Sequence, residues 1–90
     1  MARFIIERDF PSGLEVPITA AGAGACSRIV AVNAGKGVTW LHSYVSPDKR
    51  RTYCVYDAPS AEAIRDVAHL NQLPVGSITQ VVVLDPYFYH

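Results

Sequence analysis

The sequence predicts an α+β fold of the ferredoxin-like type, a β-α-β-β-α-β sandwich whose two helices share one face of a four-stranded antiparallel sheet. Three observations carry that expectation. Four short runs are rich in β-branched and aromatic residues, two helical patterns follow the first and third of them, and turn clusters sit at the junctions. Ninety residues point to a single domain, 1–90, and a domain this short buries only about 60–65% of its unfolded-chain surface. Half of the residues are hydrophobic, so a core is feasible, and pairing with a second copy is a direct way to enlarge it.

Arg3 to Asp9 reads as the first strand, bounded by the turn cluster Phe10-Pro-Ser-Gly13. From Pro17 onward, Ile18, Gly22, Ala25, Ile29 and Val32 recur at helical spacing, and Asn33-Ala-Gly35 supplies a stop. Interior glycines cost about 1 kcal/mol each against Ala, so the first turns of this helix are its weak part. Its small residues are expected to let it lie close to the sheet. Val38 to Ser46 and Arg51 to Asp57 are the second and third strands, joined by Pro47-Asp-Lys-Arg50. Pro59 and Ser60 open a second helix, with Glu62 in its first turn and Ile64, Val67, Ala68 and Asn71 along its inner stripe. Leu73-Pro-Val-Gly76 ends that helix, and Ile78 to Leu84 is a near-continuous apolar strand stopped by Asp85-Pro86. The aromatic tail Tyr87-Phe-Tyr-His90 is hard for so small a monomer to bury and favours a homodimer.

One sheet face is covered by helices in such a fold, and the other is bare unless a partner meets it. Strict alternation along the second strand turns Trp40, His42 and Tyr44 one way and Leu41, Ser43 and Val45 the other. Leu41 and Val45 form a conventional core set, which sends the amphipathic trio to the open face. Phe4 and Ile6 are core residues of the first strand, so Glu7 joins the trio. In the third strand, Cys54 shares a face with Thr52 and Tyr56, and hairpin register alone decides whether it meets His42.

Eight basic residues balance eight acidic ones, a poor composition for nucleic-acid binding, which relies on clustered cations. The run Lys49-Arg-Arg51 falls at a hairpin turn and reads as solvated. Met1 to Asp9 meets charge almost at once and has no apolar signal region, and no run approaches the roughly 20 residues of a membrane span. Cys26 and Cys54 share no metal-type spacing and read as free thiols of a cytoplasmic protein.

An imidazole, a carboxylate and a conditional thiolate on one sheet face suit a borderline transition metal such as nickel or zinc. The set proposed is His42, Glu7 and Cys54, with Trp40 and Tyr44 lining the site. The bland alternative is His42 hydrogen-bonded to Tyr or Glu at a subunit interface. No nucleophile elbow, phosphate loop or dinucleotide fingerprint is present. Acid–base work by His42 with Tyr44 and Glu7 is the catalytic alternative, a cofactor-free or small-molecule-binding dimer. A purely structural interaction module is the third.

The elements Ile6-Glu-Arg-Asp-Phe10, Trp40-Leu-His-Ser-Tyr-Val45 and Thr52-Tyr-Cys-Val-Tyr-Asp-Ala-Pro59 resemble the small bacterial nickel-binding family common in actinobacteria. The likeness continues through Ala61-Glu-Ala-Ile-Arg65, Leu73-Pro74 and Val83-Leu-Asp-Pro86, nearly the whole chain. The resemblance implies a ferredoxin-like α+β fold, a homodimer of the dimeric α/β-barrel type with facing sheets, and nickel binding. Glu7, His42, Ser43, Tyr44 and Cys54 fall on recurring family positions. This chain departs from the pattern with Val67 where relatives carry His, a longer turn at Ser46 to Arg51, and an Ala- and Gly-rich first helix. The expectation is a metal-buffering or metal-responsive binding protein, not an enzyme.

Overall fold

The computed structural model describes residues 1–14 and 20–87. Its elements are β1 (Ala2–Asp9), α1 (Ala20–Ala34), β2 (Thr39–Val45), β3 (Arg51–Ala58), α2 (Ala61–Leu70) and β4 (Ser77–Val81). All strand pairs are antiparallel and the sheet order is β2-β3-β1-β4, the ferredoxin-like arrangement. Pro17, Ile18 and the tail residues Phe88 to His90 lie outside the described residues.

β1 is the central strand, and its alternation sorts the sheet. Phe4, Ile6 and Arg8 are buried, while Arg3, Ile5 and Glu7 on the other face are half-buried. Cross-strand pairing extends the division: Phe4 opposite Tyr56, Ile6 opposite Cys54 and Arg8 opposite Thr52 share the helix-covered face. Ile64 and Val67 of α2 complete a core with Phe4, Ile6, Val38, Cys54, Tyr56 and Ala58.

α2 starts where its capping residue places it. Ser60 has extended backbone and its Oγ accepts a hydrogen bond from the Ala63 amide at 3.2 Å. Asn71 sits at the C-terminal cap rather than on the inner stripe, and its Nδ2 donates to Oδ1 of the fully buried Asn33 at 3.1 Å. That bond joins the ends of the two helices. The β2–β3 connection is built by Ser46 and Asp48: the Ser46 hydroxyl and the Arg50 amide both bond the Asp48 carboxylate, at 2.6 and 3.0 Å. Phe10 and Leu14, in the loop after β1, donate backbone bonds to Arg50 and Lys49, which docks that loop on the hairpin turn.

β4 is shorter than the apolar run suggests. Arg3 is the β1 residue opposite Val81, so the partner strand is nearly exhausted there, and Val82, Val83 and Leu84 leave the sheet 91%, 67% and 75% exposed. Gly76, just before β4, donates its amide to the Glu7 carbonyl at 2.8 Å, and a Cβ at this position would lie 2.9 Å from that oxygen. Gly76→Ala is therefore expected to destabilise the fold by about 1–3 kcal/mol, read from the urea midpoint, with a wild-type midpoint showing the contact to be relaxed at no cost.

Candidate functional site

The open face is read row by row across β2, β3 and β1. His42 stands opposite Val55, which stands opposite Ile5; the next row is Tyr44, Tyr53 and Glu7. His42 and Tyr44 are both exposed, as alternation predicts, and their rings meet edge to face at 5.2 Å. Ile5, Val55 and Tyr53 form the centre of the face. Charged pairs border it on both sides along the strand direction. Arg3 grips Asp57 through Nε at 3.0 Å and Nη2 at 3.3 Å, holding that carboxyl below its usual range, while Arg51 bonds Asp9 at 2.9 Å and Glu7 at 3.1 Å.

Trp40 does not belong to this set. The register slips between Trp40, opposite Tyr56, and His42, opposite Val55, leaving Leu41 as a bulge residue. Alternation therefore restarts after the bulge. Trp40 and Ser43, three apart, lie on the helix-covered face, where indole Nε1 donates to Ser43 Oγ at 2.9 Å. Leu41, expected in the core, is exposed.

Cys54 is also on the helix-covered face, paired with Ser43 and Ile6, and its thiol is 3.8 Å from the Thr52 hydroxyl. The register thus separates it from His42. Glu7 does share the open face with His42, but β3 lies between them, so the two are about 10 Å apart across the strands plus a two-residue step along them. Both Glu7 oxygens are engaged, one by Arg51 and the other by the Ser77 hydroxyl at 3.3 Å. Zinc-type ligand distances are only about 2.0–2.3 Å. Among the described residues, no three His, Cys, Asp or Glu side chains converge in this way. A single chain offers His42 as one nitrogen donor.

The helix-covered face holds something the sequence did not announce. Between α1 and the sheet lies a cavity of about 470 Å³, lined by Arg8, Cys26, Ile29, Trp40 and Tyr56 among others. The Ala- and Gly-rich α1, expected to lie close to the sheet, leaves space above β2 and β3 instead. Arg8 is 1% exposed, and none of its three guanidinium nitrogens has a hydrogen-bond partner. Its Cζ is 5.7 Å from the centre of the Tyr56 ring. The only sequence signal was β1 alternation, which puts Arg8 in phase with Phe4 and Ile6.

Residues 4–81 match the model of the family described as nickel responsive protein SCO4226-like. The fold is similar to the crystal structure of SCO4226 from Streptomyces coelicolor A3(2), with a TM-score of 0.74 and 22% identity over 93% of this chain and 100% of that one. At that identity the likeness speaks for the fold alone. No curated protein matches the chain.

Burial pushes the Tyr56 phenol above its ordinary 10.0, with nearby Arg8 pulling in the opposite direction. The folded protein holds this proton more tightly than the unfolded chain does. The stability it confers is complete below the ordinary phenol value and is lost as pH rises through the folded one. An alkaline titration followed by phenolate absorbance is expected to show a late phase that disappears in Tyr56→Phe. A late phase surviving in that variant assigns it to another tyrosine.

Proposed function

Since the chain belongs to the SCO4226-like family of nickel responsive proteins, we propose that it is a cytoplasmic homodimer that binds a divalent transition metal, nickel foremost, in metal buffering or metal response. The observation carrying this reading is the exposed His42 imidazole on a helix-free sheet face with an apolar centre. That face suits a second copy: half-buried Ile5 and exposed Tyr53 supply area to bury, and the flanking charges are already paired within the chain. The exposed Val82-Val-Leu84 segment adds apolar surface to the same account.

Among the described residues no second donor of the same chain converges on His42, so this reading takes the remaining ligands from the facing copy, a second His42 and Glu7 among them. Cys54, on the opposite face, has no part in it. Nickel supplies a cationic centre when bound, and ligands drawn from two chains tie metal affinity to association. His42 offers an imidazole nitrogen, a ligand type suited to nickel. Glu7 must first exchange its bond to Arg51. No helix among the described residues is long and apolar enough to cross a membrane.

Titration of tag-free protein with Ni²⁺ by calorimetry tests the reading. His42→Ala is expected to weaken binding at least about tenfold, the size of effect that even an outer-shell partner of a metal can have. Added Ni²⁺ is expected to shift wild-type protein towards the dimer in sedimentation equilibrium. Equal affinity in wild type and variant removes His42 from the site.

A further inference from the structure

We propose that the cavity between α1 and the sheet is a binding site for a small organic monoanion, an apolar carboxylate whose charged end is received by Arg8. The site lies on the face opposite His42 and does not depend on the metal reading.

The argument begins with an unpaired charge. Arg8 is buried, its Nε and both Nη atoms lack hydrogen-bond partners, and it lines the cavity. A guanidinium cannot relieve the strain by losing a proton, because it stays charged throughout the accessible pH range. An unpaired buried charge is the situation proteins avoid most strictly. Tyr56, its ring centre 5.7 Å away and its phenol interacting with the guanidinium, offers partial compensation and no carboxylate. The acidic neighbours of Arg8 on β1, Glu7 and Asp9, point to the opposite sheet face and are held by Arg51. Asp48 is committed to Ser46 and Arg50. Among the described residues, no acid reaches Arg8.

The shape of the space supplies the rest of the ligand's description. About 470 Å³ lies within the range of small-molecule pockets. Phe10, Leu14, Ile29, Trp40 and Val45 make most of its wall apolar. A bare inorganic anion would satisfy Arg8 and leave that wall facing a void. One buried cation matches one negative charge, with exposed Lys49 also on the wall, and the planar fork of Arg8 donates two parallel bonds to a carboxylate. A chain or ring attached to that carboxylate fills the remainder. The small side chains of Ala25 and Cys26 on α1 leave the room for it.

The test uses tag-free protein titrated with straight-chain carboxylates from butanoate to decanoate and with the matching primary alcohols, followed by calorimetry and backbone NMR. Carboxylates are expected to bind more tightly as the chain lengthens, at least about tenfold more tightly than the alcohols, the ratio that a charge-assisted hydrogen bond supplies. Shifts are expected at Arg8, Cys26 and Tyr56. Arg8→Met, which keeps bulk and removes charge, is expected to erase the acid–alcohol difference. Should that variant fail to fold, the wild-type comparison still decides. Equal binding of acid and alcohol, no binding, or shifts centred on His42 and Tyr44 overturn the proposal.

Discussion

β1 is hydrogen-bonded along both edges, to β3 and to β4, and this one constraint decides what each face of the sheet can hold. Any residue of β1 is a row marker for its neighbours on both sides. Phe4 and Ile6 align Tyr56 and Cys54 beneath the helices, and Ile5 and Glu7 align Val55 and Tyr53 on the bare side. A change in that register would exchange a core for a surface along two strands at once. The close approach of Gly76 to the Glu7 carbonyl pins the β4 end of the same arrangement.

The two faces handle charge in opposite ways. On the open face each arginine has found an acid: Arg3 with Asp57, and Arg51 with Glu7 and Asp9. These are partly exposed pairs of modest individual worth. What they accomplish is local neutrality around an apolar centre, which allows that surface to be covered without stranding a charge. The helix-covered face buries one cation among the described residues, Arg8, with an aromatic ring near it and no counter-charge. The proposed metal and anion sites therefore have separate addresses in this molecule, His42 for the first and Arg8 for the second.

Much of the fold was legible because period-two alternation, capping and turn residues are local signals. Ser60 marked the start of α2, and Phe4 and Ile6 marked the inner side of β1. The candidate site was legible only in part, because it depends on relations between strands. His42 and Tyr44 follow from alternation within β2. Trp40 was misplaced because a bulge intervenes at Leu41, and the run Trp-Leu-His contains no Gly or Pro to announce one. The side of Cys54 depended on register, a non-local quantity. β4 ends early because its partner runs out, a fact recorded in β1 and not in the apolar run itself. The cavity was invisible for a similar reason: small residues permit either close packing or empty space, and tertiary arrangement decides between them.

The extra residue in β2 also bears on how this chain can vary. Strands usually punish insertions and deletions, because one added residue reverses every side chain beyond it. Here the reversal has been absorbed into an edge strand between two aromatic residues, so Trp40 and Tyr44 serve different surfaces though they are four apart. Losing the codon for Leu41 would make the indole and the imidazole neighbours in simple alternation, and each would keep the side it now has. Lineages that differ by a single residue at this point can thus present the same surfaces from different spacings, and counting positions along the strand would conceal it.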